Sequence, residues 1–84
     1  MSTYLGTVFE GSTTLQTSTA GAEILTSGNR YTDFSFKNDQ ICSVSINGGD
    51  YIYLRANQGF TAQVIKSLKI QENSITFTWI GTKL

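Results

Sequence analysis

The stretch CSVSINGGDYIYLR, Cys42 to Arg55, alternates polar and apolar residues on both sides of a glycine pair, and its reading decides the fold. One row runs Cys42, Val44, Ile46, Ile52, Leu54, and the other runs Ser43, Ser45, Asn47, Tyr51, Tyr53, Arg55. Side chains alternate across a strand, so the segment reads as a hairpin with one face that can be buried. Gly48-Gly49 offers a two-residue type I′ loop, because glycine takes positive φ without steric cost. That loop pairs Ile46 with Tyr51 and Ser45 with Ile52, which mixes the rows and leaves both tyrosines partly buried. A three-residue loop, Gly48-Gly49-Asp50 with a glycine bulge, pairs Asn47 with Tyr51 and Ile46 with Ile52 and keeps five apolar residues on one face. The second is preferred because it satisfies more side chains at once.

The same alternation extends outward from this hairpin. Upstream, YTDFSFKN places Phe34 and Phe36 on one face with Thr32 in phase, while Asp33, Ser35 and Lys37 face away. Downstream, after a loop centred on Asn57 to Gly59, Leu68 and Ile70 share a parity, as do Ile75, Phe77 and Trp79. Glu72-Asn73 reads as a tight turn pairing Gln71 with Ser74 and Ile70 with Ile75. The spacing of Phe60, Val64 and Leu68 is the nearest approach to a helical period, but the β-branched residues favour a strand from about Val64. Toward the N-terminus, Tyr4 to Phe9 reads as a first strand, Ser12 to Thr19 as a solvated edge strand and Ala22 to Thr26 as a short inner one. The expected fold class is all-β: a compact antiparallel β-sandwich or small barrel of six to eight short strands, forming one domain over residues 1–84.

Composition narrows the function. Lysine plus arginine total 6 and aspartate plus glutamate total 6, so the chain lacks the basic excess that phosphate neutralisation requires, and no nucleic-acid partner is expected. A neutral small domain also carries little repulsion between copies, and a homo-oligomer is the expected state. With no histidine there is no imidazole base and no His-containing triad, and the carboxylates show no distinctive metal or glycosidase spacing. No phosphate-cradling glycine motif is present. The reading is therefore not an enzyme, with no cofactor and no metal. Cys42 shares the inward parity of Val44 and Ile46 and reads as an inert structural thiol. No apolar run approaches a bilayer span or a signal peptide, so no membrane partner is expected and synthesis in the cytoplasm is the default.

The polar row holds the candidate site. Tyr51, Tyr53 and Arg55 stand two apart on one strand face, and aromatic rings with a guanidinium are residue types that protein interfaces favour. Asn57 and Gln58 could add amide hydrogen bonds to a glycan on the same rings, and Ile80, opposite in parity to Trp79, is a second candidate contact. Cross-strand filler on a half-exposed sheet is the competing explanation for the tyrosines.

Through INGGDYIYLRANQGF, IKSLKI and ITFTWIG, the segment from Val44 to Gly81 resembles small β-rich structural proteins and appended domains of tailed bacteriophages. The resemblance covers somewhat under half of the chain. It implies a multicopy head, tail or fibre component that contacts other virion proteins, made in the host cytoplasm and located in the virion. It brings no catalytic residues with it. A small carbohydrate-binding module is the alternative.

Overall fold

The computed structural model describes residues 8–12 and 14–84. In chain order its strands are β1 (Val8–Gly11), β2 (Gln16–Thr17), β3 (Tyr31–Asn38), β4 (Cys42–Ile46), β5 (Tyr51–Leu54), β6 (Phe60–Ile65), β7 (Leu68–Ile70) and β8 (Thr76–Lys83). Two antiparallel sheets result. One has the order β1-β8-β3-β6 with β2 also pairing β8, and the other has the order β5-β4-β7. The expected all-β, sandwich-like class is what forms.

The β4–β5 hairpin keeps the expected parity but reaches it by a different turn. Asn47 and Gly48 take φ of 54° and 77°, and the Gly49 amide donates to the Ile46 carbonyl at 3.0 Å. This is a type I′ turn on the Asn-Gly dipeptide rather than on Gly48-Gly49. An extra residue at Gly49-Asp50 then bulges, so that Ser45 opposes Tyr51, Val44 opposes Ile52 and Cys42 opposes Leu54. The Ser45 hydroxyl donates to the Gly49 carbonyl at 2.7 Å across that bulge. The expected Ile46–Ile52 and Asn47–Tyr51 pairs do not form, because the turn closes at Ile46, whose carbonyl accepts from Gly49, and Asn47 is itself a turn residue. Ile46 opposes Leu68 of β7, and the Asn47 amide donates to the Ser67 carbonyl at 2.9 Å.

Between the sheets lie Phe34, Phe36, Cys42, Val44, Leu54, Ile65, Leu68, Ile70, Ile75 and Phe77, joined by Leu25 and Tyr31. Tyr31 takes the inward position expected of Thr32. Asp33 adopts φ of 50°, and the β3–β8 register shifts between Thr32 and Ser35, so parity breaks there and Tyr31 turns in with Phe34. Trp79 is half-buried at this end, stacking on Phe34 at 5.5 Å and meeting Tyr31 edge-on at 5.3 Å between ring centroids.

The Glu72-Asn73 hairpin does not form. β7 belongs to one sheet and β8 to the other, so residues 71–75 cross between sheets. Ile70 and Ile75 are both buried, as their parity requires, but they reach the core from opposite layers. The serine-rich segment fixes this crossing: Ser18 Oγ donates to the Glu72 carbonyl at 2.7 Å and accepts from the Ile75 amide at 2.9 Å. Of the N-terminal expectations, residues 4–7 lie outside the described residues and β1 carries the remainder. The edge strand shrinks to Gln16–Thr17, and Ala22 to Thr26 contributes a single bridge, Glu23 to Lys69. β6 begins at Phe60, earlier than expected, with Val64 turned outward.

Candidate functional site

β5 is the outermost strand of its sheet. A strand with one neighbour leaves its other flank to solvent, and here three consecutive large side chains are exposed: Tyr51 at 41%, Ile52 at 54% and Tyr53 at 58%. Ile52 belongs to the apolar row and was expected inside. Its partner Val44 is fully buried at the sheet's centre, whereas Ile52 has no strand beyond it to complete its cover. The parity reading identified the face correctly but carried no information on which strand would sit at the edge.

The tyrosines stand on the sheet's outer face opposite small residues, Tyr51 across from Ser45 and Tyr53 across from Ser43, with Lys69 beyond Ser45 on β7. Tyr53, Arg55, Ala56 and Gln58 line a shallow hollow of about 560 Å³. Gln58 also borders a second depression with Lys37, Phe60, Thr78 and Ile80, so it joins the β5 surface to the outer face of β8. Ile80 is 53% exposed there. The structure thus brings Tyr53, Arg55 and Gln58 together, places Tyr51 farther along the same strand face, and sets Ile80 across Gln58. Asn57 is the turn residue, with φ of 62° and its amide donating to the Asn38 carbonyl at 2.8 Å.

Much of the polarity of this loop is consumed internally. Gln58 Oε1 accepts from the Arg55 amide at 2.9 Å, and the Gln58 amide donates to the Arg55 carbonyl at 3.1 Å. That spends one of the groups expected to hold a glycan. The residue that positions the loop is Asn38, the last residue of β3. Asn38 is fully buried. Its Nδ2 donates to the carbonyls of Gln40 and Arg55, each at 2.8 Å, and its Oδ1 accepts from the Gly59 amide at 2.9 Å. A buried amide with three backbone partners fixes loop 55–59 against the end of β3. Asn38 shares the inward parity of Phe34 and Phe36, and a lone polar residue continuing an apolar row was the available signal.

Cys42 lies in the core behind the same hairpin. Burial first, and then the nearby Glu72 carboxylate, push its thiol up to about 11, with the Asn38 side chain acting the other way. Such a thiol is protonated and shielded, as a structural cysteine is. Among the described residues no group of three or more histidine, cysteine, aspartate or glutamate side chains is placed to hold a metal ion.

Comparison with protein families, curated proteins and solved structures finds no match to this chain.

Proposed function

We propose that this protein is a non-enzymatic assembly module that acts through protein–protein contacts at the β5 edge. The observation that supports this most directly is the run of Tyr51, Ile52 and Tyr53, exposed in succession on both faces of one outer strand. Natural sheets blunt such edges with lysine, proline or strong bulges, because an open, apolar strand recruits other chains. Here the strand interior carries none of these. Aromatic side chains bury much area for little rotamer entropy, and Arg55 at the strand's end adds a charged handle at the rim.

The resemblance to tailed-phage structural proteins adds a setting: a component present in many copies in a virion, whose small neutral fold gains stability from its neighbours. Replacing Tyr53 by alanine should weaken association by about 2 kcal/mol, roughly a thirtyfold rise in Kd, while the far-ultraviolet β-sheet signal stays intact. Sedimentation equilibrium of wild type and variant reads this directly. A wild type that stays monomeric at high concentration, binds no capsid or tail protein, and loses glycan binding on Tyr53→Ala would replace the assembly reading with the sugar-binding one.

A further inference from the structure

The hydrogen-bond alternation of the β5-β4-β7 sheet identifies which backbone groups of β5 are unpaired. In an antiparallel ladder, each residue directs both its amide and its carbonyl to the same neighbour, and successive residues alternate sides. The Gln71 amide donates to the Ser43 carbonyl and the Asn47 amide to the Ser67 carbonyl, each at 2.9 Å, so Ser43, Ser45 and Asn47 point toward β7. Cys42 and Val44 consequently point toward β5, where they oppose Leu54 and Ile52. The backbone groups of Tyr51 and Tyr53 therefore face away from the sheet, and among the described residues they meet no hydrogen-bond partner there.

The flanks of this open edge are closed. On one side, the Gly49 amide donates to Ile46 and the Gly49 carbonyl accepts from Ser45. On the other, the Arg55 amide donates to Gln58 Oε1, and the Arg55 carbonyl accepts from Asn38 and from the Gln58 amide. The opposite edge of the same sheet is also covered: Gly21 and Ile24 donate to the Ile70 and Leu68 carbonyls, and Glu23 Oε2 accepts from the Leu68 amide. What remains is a self-complementary set, two amides and two carbonyls on alternate residues around Ile52.

Resting on the assembly reading above, we propose that the occupant of this edge is β5 of a second copy, paired antiparallel about a twofold axis at Ile52. Tyr51 then opposes Tyr53 of the other copy in both directions, and four interchain hydrogen bonds satisfy every open group. Ile52 meets its own counterpart as the close, non-hydrogen-bonded pair, and the two three-stranded sheets merge into one. Sliding the pairing by one step either way would oppose Tyr51 to Tyr51 or Tyr53 to Tyr53. It would then require backbone groups of Gly49 or Arg55 that are already engaged, so the flanks select the register. Asp50 falls opposite Leu54 of the other copy, which keeps the two acidic side chains about four residues, roughly 13 Å, apart. An isologous contact of this kind closes at the dimer instead of propagating.

Single-cysteine substitutions read the register. Non-hydrogen-bonded antiparallel pairs bring Cα atoms to about 4.5 Å, within disulfide reach. Under mild oxidation, Ile52→Cys should form a disulfide-linked dimer at least about tenfold faster than Tyr51→Cys, Tyr53→Cys or the wild type, whose Cys42 is buried. Tyr53→Pro, which removes one outward amide and none of the β4–β5 ladder bonds, should abolish dimer in sedimentation. A dimer that is weakened by Tyr53→Ala but cross-links fastest through position 51 or 53 would overturn this pairing while leaving the assembly surface standing. A wild type that is monomeric throughout, with no preference for Ile52→Cys, would overturn self-pairing outright.

Discussion

At the scale of single residues, the most consequential side chain is a buried amide outside the aromatic row. Asn38 satisfies the Gly59 amide and the Gln40 and Arg55 carbonyls at once. Removing it leaves the buried Gly59 amide and the Gln40 carbonyl without this partner, while the Arg55 carbonyl keeps the Gln58 amide, and an unsatisfied buried group costs about 1–3 kcal/mol. Asn38→Ala should therefore lower stability by about 3 kcal/mol in denaturant unfolding and raise hydrogen exchange selectively across residues 55–59. Asn38→Asp should rescue little, since a carboxylate accepts from Gly59 but donates to neither carbonyl. An alanine variant within about 1 kcal/mol of wild type would show that water replaces the amide. The aromatic row, by contrast, was legible from alternation alone, because Tyr51, Tyr53 and Arg55 share a parity whatever loop joins the strands.

At the scale of elements, alternation fixed which residues face inward and left strand partnership open. Leu68, Ile70, Ile75 and Phe77 are buried as their parity demands, yet a facing pair of sheets satisfies that parity as well as a hairpin does. The deciding contacts come from Ser18, more than fifty residues away in sequence, and no local pattern announces them. Positive φ at Asp33 likewise broke the parity of β3 without a glycine to mark it. The β4–β5 turn was half legible: a type I′ loop and a bulged three-residue loop stand as alternatives at the glycine pair, whereas the structure combines a type I′ turn with a one-residue bulge and starts one residue earlier, on the Asn-Gly dipeptide. Two glycines now separate by mechanism. An added Cβ at Gly48 meets nothing within 4 Å, so Gly48→Ala should cost only the left-handed backbone penalty, about 1 kcal/mol. At Gly59, also at positive φ, the Cβ would collide with the Phe36 carbonyl oxygen, so Gly59→Ala carries the same penalty plus a backbone displacement. Thermal unfolding should rank Gly59→Ala clearly below Gly48→Ala, and equal midpoints would argue against the packing at the start of β6.

At the scale of the whole molecule, the core contains two groups whose ionisation is coupled to folding. Cys42 is raised from 9.0 to about 11, chiefly by burial and then by Glu72. Tyr31 is raised above 10.0, chiefly by burial, with Glu10 adding to the shift while the Asn29 side chain opposes it. Its hydroxyl donates to Glu10 Oε1 at 2.8 Å, a bond that exists only while the phenol keeps its proton. For both groups the folded state holds the proton at pH values where the unfolded chain has released it. More protons bound in the folded state means that stability falls as pH rises. Their contribution is complete below the unfolded values and is lost first by Cys42, from about 9 to about 11, and then by Tyr31 from about 10 upward. Denaturation midpoints should thus decline through this alkaline range. Cys42→Ala should lower the baseline through a small cavity yet flatten the first part of the decline, whereas Tyr31→Phe should spare the first part and flatten the later one. A wild-type midpoint that is level from pH 9 to 11 would mean that Cys42 ionises as readily in the folded chain as in the unfolded one, and that the thiol is not enclosed between the sheets.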